Sequence, residues 1–207
     1  MRRTRLEERR GFSLVELVIV MAIMLAIAAY AIPSTLSAIS DYRLKNTMTQ
    51  VAGLYQQQRI RAVQTNKVVT SPAVTTINNR QAVYLDLNGN SQYNAGEPMI
   101  EFPNKIQVVT SGAPTFSTSS LSSLTSYSAL TWISTYVTFN ARGLPCLGTS
   151  NPCPNLDSSV TPPKQIGFLI YFKNNKSFGQ TGWGVLTISP AGRINTWVYN
   201  GSSYSKM

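Results

Sequence analysis

From Phe12 to Ile32 the chain carries one charged residue, Glu16, in an otherwise largely apolar run. A helix rises ~1.5 Å per residue, so this run is long enough to cross a bilayer core of ~30 Å. Arg2, Arg3, Arg5, Arg9 and Arg10 precede it. Such a cluster stays on the cytoplasmic side of a membrane. The run therefore reads as a single-pass span, with the N-terminus inside and the rest of the chain outside.

Glu16 is the residue such a span does not need. A carboxylate in a spanning helix costs roughly 2.5–3.5 kcal/mol on insertion scales and normally has a partner. No basic side chain lies within the run. A cut between Gly11 and Phe12 would create one, because the new α-amino group has a reference pKa of ~8 and is cationic. Its position along the same helix leaves room for a neighbouring copy, or a different subunit, to supply the amine instead. Two plainer readings compete. One is a signal peptide cut after Ala28 or Ala31, each preceded by a small-residue site. The other is a simple membrane anchor. Both leave Glu16 without a role.

Arg9-Arg10-Gly11-Phe12-Ser13-Leu14-Val15-Glu16 resembles the class III signal of type IV prepilins and pseudopilins. The resemblance implies cleavage by prepilin peptidase between Gly11 and Phe12 and N-methylation of Phe12. It also implies pairing of Glu16 with a neighbour's N-terminus during assembly with other pilins or pseudopilins. Pro33 falls where such subunits often kink or melt the first helix. The likeness covers about the first quarter of the chain. Arg59, Ala62, Asn66 and Val68, following Leu44-Lys45-Asn46 and Leu54, are similar to the way GspH/FimT-like pseudopilins and minor pilins enter their first strand.

The remaining chain has room for one domain with a real core. The leader holds five Arg and two Glu, so cutting after Gly11 takes the net charge from +10 to +7. A basic surface can attract DNA, anionic lipid or acidic glycans, although here the charges are scattered singly. There is no His, which removes the commonest general base and transition-metal ligand. No nucleophile has an identifiable base, so no enzyme is expected. Cys146 and Cys153 flank a stretch of turn formers. Outside the cytoplasm they are expected to form a disulfide. A loop this short stabilises by no more than ~2–3 kcal/mol.

Four segments follow: a leader at 1–11, a transmembrane and assembly helix at 12–32, an amphipathic second half of that helix at 33–66, and a β-rich domain at 67–207. In the second half, Leu44, Met48, Val51, Tyr55 and Ala62 follow a helical spacing. Strands are expected at 67–70, 81–87, 99–102, 106–110, 136–140, 165–172, 184–189 and 193–200. Pro190-Ala191-Gly192 reads as a tight turn. The Ser/Thr-rich stretch 111–131 reads as a long exposed loop. The expected fold is α+β, with a long N-terminal helix packed on an antiparallel sheet.

Two further elements are candidate sites. Asp86, Asn88, Asn90, Gln92, Asn94 and Glu97 occupy places one, three, five, seven, nine and twelve of a twelve-residue stretch. That is the ligand spacing of an EF-hand loop, with Ser91 where the required Gly would stand. A weak calcium site is one reading; an Asn/Gly-rich hairpin tip is the other. Gly192-Arg193 resembles the start of a Gly-Arg-x-Arg element through which some FimT-like minor pilins bind DNA. The second Arg is replaced here by Asn195. The functional expectation is a structural subunit of a type IV pilus or type II secretion filament, held in the inner membrane before assembly. The alternative is a filament-tip subunit capturing DNA or a surface.

Overall fold

The computed structural model describes residues 11–72, 74–90, 92–116, 130–133, 136–148, 152–159, 161–176 and 179–207. Most of the leader, 1–10, and residues 117–129 of the expected Ser/Thr-rich loop lie outside them. The chain forms two compact units, Met1–Ile39 and Ser40–Met207.

The first unit contains the start of α1, a helix covering Leu14–Thr65. No residue of its most apolar 18-residue window is buried. Leu14, Ile19, Ile23, Leu25 and Ile27 are exposed on successive faces. A helix apolar all round with nothing packed on it suits lipid or other helices, not water. Pro33 sits inside α1 rather than ending it. It has no amide to offer the carbonyl of Ala29, one turn back.

The second unit is the α+β domain. From Leu44 onward α1 acquires one buried stripe: Leu44, Thr47, Met48, Val51, Leu54, Tyr55, Gln58 and Ala62. These positions recur at three- and four-residue steps, the period of one helix face. α1 ends where Asn66 takes a left-handed conformation, φ 52°. The amide of Lys67 then donates to Ala62 O at 3.2 Å, and that of Asn66 to Val63 O at 3.3 Å. This pair of bonds is a Schellman cap, with Asn in the place glycine usually takes.

Among the described residues twelve strands follow: β1 Val69–Pro72, β2 Thr75–Ile77, β3 Arg80–Tyr84, β4 Met99–Glu101, β5 Ile106–Val109, β6 Leu130–Ile133, β7 Tyr136–Phe139, β8 Leu156–Asp157, β9 Lys164–Asn175, β10 Thr181–Ile188, β11 Ile194–Tyr199 and β12 Tyr204–Lys206. The largest sheet runs β12-β11-β10-β9-β5, with β6 and β8 also on β9. Phe168 pairs with both Ile188 of β10 and Ile133 of β6, so those strands lie on opposite edges of β9. Gln165 likewise pairs with both Leu130 of β6 and Leu156 of β8. β10 and β8 therefore share one edge of β9, and β5 and β6 the other. β2-β3-β4 and β1-β7 make two smaller sheets.

Alternation along β9 sorts its side chains. Ile166, Phe168, Ile170 and Phe172 join the core cluster that contains the α1 stripe. Leu169 and Tyr171 belong to a second cluster on the opposite face, with Phe116, Val185, Trp197, Tyr199 and Tyr204. There the Tyr204 hydroxyl donates to Pro114 O at 3.1 Å. Burial pushes its pKa up, and the neighbouring Tyr171 and Tyr199 phenols push the same way.

Polar contacts anchor α1 along the length of the domain. Asn174 Nδ2 donates to Ser40 O at 2.8 Å and Ser40 Oγ at 2.9 Å. Gln58, 1% exposed, donates from one amide nitrogen to Val69 O at 3.0 Å and Val137 O at 2.8 Å, and so ties the helix to β1 and β7 together. Arg61 Nη2 reaches Leu87 O at 2.7 Å. The expected helix on a sheet is observed. The sheets are antiparallel except for the β6–β9 pair.

Several boundaries differ from expectation. β2, β6, β8 and β12 were not expected. Each is two to four residues long, too short for periodicity to register, and each is held by a partner distant in sequence or by a hairpin. Leu130 and Thr131 of the expected loop belong to β6. β3 ends at Tyr84 rather than Leu87 because the chain turns into the Asp86–Glu97 loop.

At Gly184 the sheet lies directly against Met48 of the helix. A Cβ there would stand 2.3 Å from Met48 Sδ and 3.4 Å from Trp197 O. Met48 is completely buried and has little room to give. Gly184→Val should destabilise the domain by about 1–3 kcal/mol, read as a lower urea midpoint. The control Gly53→Ala, where a Cβ meets nothing within 4 Å, should not lower it.

Candidate functional site

The N-terminal site is built by the start of α1. Gly11, Phe12 and Ser13 precede the first helical residue, Leu14. Ser13 O accepts the amide of Leu17 at 3.2 Å, which makes Ser13 the N-cap and Glu16 the third helical residue. Ser13-Leu-Val-Glu16 thus has the spacing of a capping box. That signal was present in the sequence and was overshadowed by the hydropathy. An acidic side chain in the first turn also meets the positive end of the helix dipole, worth roughly 0.3–1 kcal/mol at an exposed site. Glu16 is exposed, and among the described residues no ion pair reaches it. Phe12 is 77% exposed. The backbone between Gly11 and Phe12 is outside any regular element.

The Asp86–Glu97 loop closes on itself. Glu97 is 8% exposed; its Oε1 accepts the Leu87 amide at 2.8 Å and its Oε2 the Asn94 amide at 2.9 Å. Asp86 Oδ1 accepts Gly89 N at 2.7 Å, and Asn88 Oδ1 accepts Asn90 N at 3.0 Å. Asn90 Oδ1 takes Gln92 N at 2.9 Å and Asn94 Nδ2 at 3.2 Å. Gln92 contributes its carbonyl oxygen to Asn94 Nδ2. Side-chain oxygens of Asp86, Asn88, Asn90 and Glu97 are therefore engaged by the loop's own N–H groups. A twelfth-place carboxylate must be bidentate to hold calcium. Here both Glu97 oxygens accept from the main chain, as in a hairpin tip that closes on its own carboxylate.

Cys146 and Cys153 are joined, with S–S 2.17 Å and Cα–Cα 5.7 Å. The loop they close is anchored to the end of β7. Cys146 N donates to Thr138 O at 3.0 Å, and Asn140 Nδ2 reaches Cys153 O at 3.3 Å.

Gly192 and Arg193 occupy the turn between β10 and β11. Gly192 N donates to Ser189 O at 2.7 Å and Ser189 N to Arg193 O at 2.9 Å, which closes the expected turn. Gly192 is buried with φ 75°, and a Cβ would stand 2.7 Å from Gly143 O and 2.9 Å from Arg59 Nε. Only glycine suits that position, on both conformation and space. Arg193 is exposed, while Asn195 is buried. Arg59 Nε donates to Gly143 O at 3.0 Å. Arg59 and Arg142, next to Gly143, are thereby brought to the Gly192-Arg193 turn. Sequence reasoning could not assemble this group, because its members come from positions far apart in the chain.

A cavity of about 370 Å³ opens where α1 ends, with Arg61, Lys67, Thr70, Asp86 and Asn88 on its wall.

Residues 8–32 match the family model described as the prokaryotic N-terminal methylation motif. That motif is the signature of type IV pilins, and it spans the Gly11–Phe12 junction, Glu16 and the apolar run. No curated protein and no solved structure matches the chain.

The loop's bonding makes a direct prediction. Millimolar calcium should leave the melting temperature unchanged, whereas Glu97→Gln should lower stability by about 1–3 kcal/mol through loss of a charged acceptor of two amides. A calcium-dependent rise in melting temperature that Glu97→Gln abolishes would make the loop a metal site.

Proposed function

We propose that this type IV pilin-like chain is a minor pilin or pseudopilin of GspH/FimT-like build. Prepilin peptidase would cleave it between Gly11 and Phe12 and methylate the Phe12 amine. It would then enter, or prime, a type IV pilus or type II secretion filament. The observation that carries this reading is the first half of α1. No residue of its most apolar stretch is buried, and that stretch lies with Gly11 and Glu16 within the methylation motif. Such a surface needs lipid before assembly and other helices after it. The inner membrane supplies the first, with the C-terminal domain outside, and the filament core supplies the second. Glu16 then carries the assembly step: its carboxylate meets the cationic amine of a neighbouring Phe12 in a low-dielectric bundle, where an unpaired charge is costly. The amphipathic second half of α1, laid on an antiparallel sheet, agrees with the GspH/FimT-like build.

A second reading, capture of DNA or a surface at a filament tip, is favoured by one observation. Arg59 and the exposed Arg142 and Arg193 gather around Gly143 and Gly192. None of the three is in an ion pair among the described residues. They would meet phosphates by charge rather than by reading bases.

Glu16→Ala should be cleaved normally yet fail to enter filaments, measured as the processed form confined to the membrane fraction; normal incorporation would sink the assembly role. For the second reading, DNA binding by the chain in detergent should weaken with added salt. Arg142→Ala/Arg193→Ala should reduce it at least fivefold; undiminished binding by that variant would remove these arginines from the contact.

A further inference from the structure

The face of the large sheet turned away from α1 carries a row of side chains that the assembly reading does not use. The even-numbered residues of β9 join the core under α1, so the odd-numbered ones stand on the other side. Lys173 pairs with Gln107 of β5 and with Trp183 of β10, which sets these three in one line across the sheet. The register that pairs Gly184 with Val198 puts Tyr199 of β11 beside Trp183. Neighbouring strands lie ~4.8 Å apart, so the two rings are neighbours on one surface. All four residues are half-buried. Tyr204 braces Tyr199 from its far side, with ring centres 5.1 Å apart. Lys173 holds its Nζ 5.8 Å from the centre of the Trp183 ring. Asn175 and Thr181, exposed and paired with each other, border the row. Among the described residues, the charged side chains that β5, β9, β10, β11 and β12 place on this face are Lys173 and Lys206, with no carboxylate between them. No ion pair reaches either lysine among the described residues.

We infer that this row binds acidic polysaccharide, with one uronate ring packed on Trp183 and Tyr199 and its carboxylate at Lys173. A pyranose ring presents a face of C–H groups that packs on aromatic surface. Its hydroxyls lie at the rim and need amide or hydroxyl partners, which Gln107, Asn175 and Thr181 supply from the same and the adjoining row. A uronate carries its carboxylate on the ring itself. A ring seated here therefore brings its charge to the lysine that leans on the same tryptophan. An ammonium over apolar surface is less screened by water than a fully exposed one, so it attracts an anion more strongly. Charge complementarity thus selects an acidic ligand, and two further points select the glycan. Affinity for a phosphate backbone grows with each phosphate neutralised, and two lysines offer a nucleic acid few such contacts. Lysine is also depleted at protein–protein interfaces, whereas here it supplies all the charge on the strands of this face. The site is separate from the arginine group at the β10–β11 turn, since Trp183 stands near the opposite end of β10.

The test titrates the full chain, in detergent, with tetragalacturonate and with the neutral galactose tetrasaccharide, read by calorimetry. The uronate should bind about fivefold more tightly than the neutral sugar, and that advantage should shrink with added salt. Trp183→Ala should weaken binding of both sugars about tenfold, as loss of a central aromatic anchor does. Trp183→Phe should keep most of the affinity. Lys173→Gln should bring the uronate down to the neutral sugar and leave the neutral sugar unchanged, while Lys173→Arg should keep the difference. An unchanged melting temperature for each variant separates a lost contact from a lost fold. Should Trp183→Ala not fold, the Lys173→Gln comparison decides alone, because it reads a difference between two ligands on one protein. Absence of tetragalacturonate binding, or binding that survives both Trp183→Ala and Lys173→Gln, would overturn the inference. So would tighter binding of single-stranded oligothymidylate that the same two substitutions remove, which would make the row a nucleic-acid platform instead.

Discussion

A single helix, α1, has to satisfy two surroundings in succession, and the rest of the molecule depends on how it does so. Its first half is apolar on every face, and no residue of its most apolar stretch is buried. Its second half concentrates its apolar residues into one stripe, and that stripe is the floor on which the domain is built. The change comes where Ile39 gives way to Ser40 and Asp41, the boundary between the two compact units. Polar residues there bind the domain: Ser40 accepts from Asn174, and Asp41 pairs with Lys176. The same residues that end the apolar surface thus begin the tertiary structure.

Within the domain, β9 is the counterpart of α1. Four strands pair with it, and its alternate residues feed two separate apolar clusters. Helix and sheet come close because Gly184 offers no side chain against Met48. Gln58 carries hydrogen-bond donors through this apolar layer to the carbonyls of two strands from distant parts of the chain. Its Nε2 is fully used in this way, while its Oε1 is buried without a hydrogen-bond partner among the described residues. Gln58 also fixes where β1 and β7 lie under the helix.

The candidate sites divide by how far apart their residues stand in the chain. Gly11, Phe12 and Glu16 lie within one short stretch, and their meaning depends on spacing along a helix. The resemblance to the prepilin signal could be read from that spacing alone, and the methylation motif matches over it. The Asp86–Glu97 loop is equally local, yet its spacing was ambiguous. The same oxygens that could face an ion can accept the loop's own amides, and only coordinates distinguish the two. Arg59, Arg142 and Arg193 are the opposite case. They converge because Gly192 lets the β10–β11 turn approach Gly143, and no local pattern encodes that approach.

The sequence by itself determined the long apolar run, the helical stripe from Leu44 to Ala62 and the alternation along β9. All of these are set by short-range periodicity and by the partition of side chains between water and oil. Tertiary structure alone decided the pairing of β6 beside β9, the short strands β2, β8 and β12, the place of Gln58 between β1 and β7, and the row of Lys173, Trp183 and Tyr199 across the sheet. Those features rest on contacts between residues remote in the chain. Their stability comes from partners that exist only once helix and sheet have packed together.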